Sequence, residues 1–377
     1  MENAEQLTVK QKTVQYFKTL PKRYFITAFS GMAQGLFVTL IAGTILAQIA
    51  GWINKIGDGN YVGNTLLYIA NMAKILMGAG IGIGIAHALG KNKLLVYTAA
   101  VAGMIGAWSN QFTADGGGLL AITGAMGAKA APGNPIGAYV VTMLVVEIVG
   151  LYAGKTKLDI LLVPLGALVL SLGGVFAAYP FVEFVDLLGK GIEKATAITP
   201  FVMGIVIAVA MGILLTMPTS SAAIWLSFAL GNTSEAMLLA GGAATVGCAC
   251  HMVGFAVASY RENKVSGLIS QGVGTSMLQI PNIMKKPVVM LPMIISSAIC
   301  GPLATCAFKL KCGASGGGMG TSGLVGVFDL FEYTSGALGY VGIILLMFVL
   351  PAILNIVISE FMRKKGWIKY GDMKLDL

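Results

Sequence analysis

The feature that most restricts this chain is a succession of long apolar segments, each bounded by a small group of Lys and Arg. Lys18, Lys22 and Arg23 precede a run from about Phe25 to Ile49. Lys91 and Lys93 follow a second run, about Leu66 to Leu89, and Lys155 and Lys157 follow a fourth, about Ile136 to Tyr152. A helix needs about 20 mostly apolar residues to cross a bilayer, and cytoplasmic loops collect positive charge. Only 11% of the 377 residues are charged, against about 25% in a soluble domain. The pattern predicts an all-α polytopic membrane protein with both termini cytoplasmic. The net charge of +9 lies beside the apolar runs, as orientation requires, and excludes a nucleic-acid partner as its explanation.

Within this background two stretches are neither spans nor ordinary loops. Gly267–Asn282 (GLISQGVGTSMLQIPN) interleaves Gln271, Thr275, Ser276, Gln279 and Asn282 with apolar residues. Cys312–Gly326 (CGASGGGMGTSGLVG) has seven glycines in fifteen residues and carries Thr321 and Ser322. Non-helical backbone survives at membrane depth only when buried in protein or lining a polar cavity. Both stretches are therefore predicted to be re-entrant hairpins. A third interruption, Thr216-Met-Pro-Thr-Ser-Ser221, lies inside the run from Phe201 to Leu230. Pro218 should break the helix there, leaving Thr216, Thr219, Ser220 and Ser221 at the break; a simple Pro kink is the alternative. Asp329, Glu332 and Tyr333 follow the second hairpin at a membrane edge.

Phe181, Phe184, Val185, Leu188 and Ile192 recur at helical spacing against charged residues just after Pro180, which predicts an amphipathic linker helix. The resulting organisation is a cytoplasmic N-terminal segment (1–23), a first transmembrane half (24–180), the linker (181–197), a second half with the hairpins (198–362) and a cytoplasmic tail (363–377). The count is nine or ten spans, with basic residues favouring ten. Glu147 and Lys74 lie inside apolar sequence and each has two open readings. Glu147 is a functional acid or a packing residue; Lys74 reaches an interface or faces a cavity. Cys248-x-Cys250-His251 matches no structural zinc spacing, so no metal or cofactor is expected.

Several segments resemble the EIIC permease of the sugar phosphotransferase system, in the stand-alone branch that includes perfringolysin O regulator-like membrane proteins. They are Lys157–Pro164, Met211–Ser221, Met252–Ala256, Arg261–Lys264, Gly274–Asn282 and Gly320–Gly326. The resemblance implies ten spans, two re-entrant hairpins, a connecting amphipathic helix and a homodimer within the lipid bilayer. It also implies sugar binding between hairpins by a His and a Glu, for which His251 and Glu332 are the nearest candidates by context. No residue is placed like a catalytic phosphorylation site, so separate EIIA and EIIB proteins would have to supply any phosphate. Hydroxyls and amides dominate the candidate solute-binding set, which suits a neutral, sugar-like solute. The alternative is an EIIC-fold sensor or regulator that binds a ligand without net transport.

Overall fold

The computed structural model describes residues 19, 20, 22–56, 61–109, 133–217 and 221–375, and among these every regular element is helical. Five helices are long and apolar enough to cross a membrane. They are α1 (Ile26–Gly51), α6 (Asp159–Ile198), α9 (Glu235–Ala258), α11 (Pro287–Ala307) and α13 (Ala337–Lys364). Helices α2 (Tyr61–Ile75) and α3 (Met77–Ala88) together pass the same test but bend by 50°. Three apolar helices fall short of spanning length: α4 (Lys93–Ala107), α5 (Pro135–Val149) and α7 (Pro200–Thr216). The shorter α8 (Ser221–Ala229), α10 (Tyr260–Ile269) and α12 (Val325–Tyr333) complete the set used below. By length and composition the described residues hold five spans, or six with the bent pair.

Close packing in the first half depends on residues without side chains. α1 crosses α3 where Gly31 faces Gly84 and Gly35 faces Gly80, and α3 meets α4 where Gly78 faces Gly103. A Cβ at Gly80 would sit 2.7 Å from the Gly35 carbonyl oxygen and 2.7 Å from Thr39 Cγ2. Small residues permit this approach in membranes, where dispersion rather than water exclusion drives helix association. The second half repeats the device: Gly204 of α7 faces Gly301 of α11, and Gly247 of α9 faces Ala208 of α7.

Three expectations meet the structure differently. Pro180 does not end the fifth segment, because α6 runs as one 40-residue helix through both Pro164 and Pro180. Phe181, Phe184 and Leu188 are exposed, as are Leu165, Leu172 and Phe176 before them, so the apolar surface of α6 extends past Pro180. The Pro218 break is real in outline. α7 stops at Thr216, Met217 is extended and α8 starts at Ser221, while Thr219 and Ser220 lie outside the described residues, as does most of the Ser109–Pro135 stretch. Glu147 pairs with Arg23 at 2.8 Å, so its carboxylate ties α5 to the start of the first membrane segment.

Replacing Gly80 by Val would force two branched carbons against the Gly35 backbone. The expected result is a loss of about 1–3 kcal/mol of stability, read as a lowered thermal midpoint in detergent, with Gly80→Ala showing a smaller fall.

Candidate functional site

Helix α9 gives the site its frame. At one end Glu235 pairs with Lys311 at 2.8 Å. At the other, after about 36 Å at 1.5 Å per residue, come Arg261 and Glu262, which pair with Glu360 and Arg363 of α13. The Glu262–Arg363 pair is nearly sequestered, with side-chain exposures of 0% and 9%. Two irregular segments lie against this helix, and each returns to the end from which it left.

The first, Gly267–Asn282, starts and finishes at the Arg261 end. Its polar residues divide into two groups. Gln271 donates to Ser259 Oγ (2.9 Å) and the Gly267 carbonyl (2.9 Å). Gln279 donates to Gln271 Oε1 (2.8 Å) and the Met373 carbonyl (3.0 Å). Asn282 donates to Gln279 Oε1 (2.8 Å) and the Lys374 carbonyl (2.8 Å). Asn263 completes the ladder by donating to the Met373 carbonyl and accepting from Leu375 N, each at 2.8 Å. These amides hold the C-terminal segment, whose Ile368 and Met373 side chains are buried beside Phe255 and Ile283. The residues after α13 are thus a folded clasp.

The second group is at the tip. Thr275 caps a short turn by accepting from Met277 N at 3.1 Å. Ser276 contacts Thr216 Oγ1 at 3.0 Å, and Thr216 contacts His251 Nδ1 at 2.8 Å. With the Thr216 hydroxyl donating to the Gly212 carbonyl, it accepts from the Nδ1–H and from Ser276, an assignment inferred from the network. All three side chains are buried, and His251 Nε2 has no hydrogen-bond partner among the described residues.

The second segment, Cys312–Gly326, enters from the Glu235 end. It runs along α9, with Cys312 N donating to the Leu238 carbonyl and Thr321 Oγ1 reaching Met252 Sδ. It then returns through α12 to Thr334, whose hydroxyl accepts from Lys311 N at 2.9 Å. Gly318 and Gly320 make the inward turn with φ of +79° and +56°, a region open to glycine at little cost. A Cβ at Gly320 would also sit 2.8 Å from Cys248 and from Ala249 N. The loop is fastened by Ser221 Oγ to the Gly318 carbonyl (2.6 Å) and by Trp225 Nε1 to the Gly313 carbonyl (3.2 Å). Asp329, also buried, accepts from Gly313 N at 2.6 Å and Cys312 Sγ at 3.1 Å.

The two segments meet at their tips. Thr321 Oγ1 donates to the Gly272 carbonyl at 2.6 Å, and Ser322 Oγ donates to the Gly274 carbonyl at 3.0 Å. Thr216, Ser221, His251, Ser276, Thr321 and Ser322 are therefore engaged in bonds within the protein.

A cavity of about 660 Å³ lies on the Lys311 side of this contact. Its wall combines Thr44, Gly51 and Lys74 of the first half with Ser315, Asp329, Glu332, Thr334 and Tyr340 of the second. Among the described residues of the candidate solute-binding set, Glu332 lines it, together with Asp329, Tyr333 and Lys74, which the sequence also marks. The signal for the rest was the polar run Asp329, Glu332, Tyr333, Thr334, Ser335 after the glycines, together with Lys74.

The model of the family described as "Phosphotransferase system, EIIC" matches residues 26–375. The chain belongs to that family. No curated protein matches it significantly. As an EIIC-type component of the phosphotransferase system, with several apolar helices of spanning length, it is a membrane protein.

Two outcomes test the clasp. Truncation before Gly366 strips the partners from Asn263, Gln279 and Asn282, and is expected to lower the thermal midpoint, at about 1–3 kcal/mol per orphaned buried group. Acid should act on the same contact. Burial opposes ionisation of Asp372, but the Lys286 ammonium 2.7 Å away and the Lys369 amide outweigh it and hold the carboxyl below its ordinary 3.8. A depressed carboxyl stabilises the fold above its unfolded pKa, and this contribution is lost as pH falls through the lower folded value. Between about pH 5 and pH 3 the wild-type midpoint should therefore fall further than that of Lys286→Ala.

Proposed function

We propose that this EIIC-family protein is a permease for a small neutral polar solute, most simply a sugar, working by alternating exposure of the 660 Å³ cavity. The observation that carries the reading is a polar cavity whose wall joins Thr44 and Lys74 to Glu332 and Thr334, in a fold whose two irregular segments bond at their tips, Thr321 to Gly272 and Ser322 to Gly274. A polar cavity between the two halves, with a nearby contact made of only a few hydrogen bonds, suits an alternating-access carrier. The bonds are local, so parting the tips costs little compared with unfolding either hairpin.

In this reading the two irregular segments are re-entrant hairpins from opposite membrane faces. The short helices α4, α5, α7 and α8, the last two on either side of the break after Thr216, bring the count to about ten crossings by tilting the shorter hydrophobic stretches or thinning the bilayer around them. The basic groups at Arg23, Lys91, Arg261 and Arg363 place both termini and the clasp in the cytoplasm. The cavity then opens on the opposite face. Thr216, Ser221, Ser276, Thr321 and Ser322 act in the gate, with His251 bracing it through Thr216. Gln271, Gln279 and Asn282 anchor the moving hairpin to the tail, while Glu332 contacts the solute. The exposed apolar stripe of α6 suits lipid or the second subunit of a homodimer. Phosphorylation of the solute would fall to separate EIIA and EIIB proteins.

Proteoliposome uptake distinguishes transport from sensing. Radiolabelled sugar accumulating in vesicles, and lost in Glu332→Ala, is the expected result. Saturable binding with no accumulation in the presence of the partner EIIA and EIIB proteins would instead favour a membrane sensor.

A further inference from the structure

Lys74 stands at the last turn of α2, midway along the bent pair and about 20 Å from either end at 1.5 Å per residue. That distance exceeds the reach of a lysine side chain, so the ammonium cannot reach a membrane surface by extending along the helix. The structure instead turns it inward. Its stem passes over Gly43 of α1, where a Cβ would sit 2.8 Å from Lys74 Cγ, and the side chain lines the cavity. Glu332, from the other half of the protein, lines the same cavity and carries the opposite charge.

An ammonium at this depth is costly unless a counter-charge offsets it. Lys74 and Glu332 offset each other, while the Asp329 carboxyl beside them has its Oδ2 occupied by Gly313 N and Cys312 Sγ and is turned to the second segment. A solute between the pair can accept from the ammonium through one oxygen and donate to the carboxylate through another hydroxyl. Both are charge-assisted hydrogen bonds, stronger than neutral ones. A solute with a charge of its own would leave one member of the balance uncompensated. Resting on the sugar-permease reading, we infer that Lys74 is a solute-contacting, specificity-determining residue. Its charge, balanced against Glu332, restricts the cavity to polyhydroxyl solutes of zero net charge and rejects uronates and amino sugars.

The experiment measures thermal-midpoint shifts of the purified full chain with glucose, glucitol, glucosamine and glucuronate, since ligands bound to the folded state raise the midpoint. The variants are Lys74→Gln, Glu332→Gln, the double variant and Lys74→Arg, each also melted without solute. Wild type is expected to respond to glucose or glucitol and not to the charged sugars. Lys74→Gln should lose about tenfold in apparent affinity for the neutral solute, the size of one charge-assisted bond, and gain a response to glucosamine. Glu332→Gln should gain a response to glucuronate. The double variant should show neither gain, and Lys74→Arg should keep the wild-type order. A neutral-sugar response that Lys74→Gln leaves unchanged would overturn the inference alone. A wild-type response larger for either charged sugar would do the same, whether or not the variants fold. A wild type unmoved by all four solutes would overturn the sugar reading and this inference with it.

Discussion

Backbone that leaves the helix inside an apolar protein must find partners for its amides and carbonyls, because no water is there to supply them. The structure depends on how this chain meets that demand. The Gly-rich segment gives its carbonyls to Ser221, Trp225 and Thr245, and its Gly313 amide to Asp329. The Gln-rich segment gives Gly272 and Gly274 carbonyls to Thr321 and Ser322. Each hairpin therefore completes the other. In the proposed carrier, the bonds that satisfy them also form the gate.

Fixed and movable parts follow from the strength of their fastenings. The base of the first hairpin is held by a chain of amides that ends on the C-terminal clasp, reinforced by the buried Glu262–Arg363 pair. A buried pair of this kind is weak evidence for net stability, but removing either partner strands a charge. The tips are held by two hydroxyl–carbonyl bonds. Separation at the tips with the bases intact is the motion that such a distribution allows. Glycine-to-glycine contacts between α1, α3 and α4 lock the first half as a rigid body against which it can occur.

Much of this was legible in the sequence because backbone requirements leave a mark there. α7 stops at Thr216, close to the position of Pro218 in the sequence, and glycines of Cys312–Gly326 coincide with positive φ at Gly318, Gly320 and Gly323. The interrupted polar pattern of Gly267–Asn282 likewise marked a segment that is not a continuous span. Pairwise geometry leaves no such mark. Nothing local says that Gln279 would spend its amide on Met373, about ninety residues away, or that Glu147 would find Arg23. Pro180 misled for a related reason: neighbouring helices supported a continuous α6, and a proline by itself does not decide between a kink and an end. The cavity was hidden for the same cause, since its wall joins Thr44 and Lys74 to Glu332 and Thr334 across the whole length of the chain.

The most direct measurement is a cross-link between the hairpin tips in membranes. Gly274→Cys and Ser322→Cys together, with the exposed Cys306 replaced, put two thiols where a hydroxyl and a carbonyl now lie 3.0 Å apart. On mild oxidation the account expects a disulfide that stops sugar uptake, with uptake restored by reductant. Two reactive thiols that never cross-link, or a cross-linked protein that transports as well as the reduced one, would contradict it.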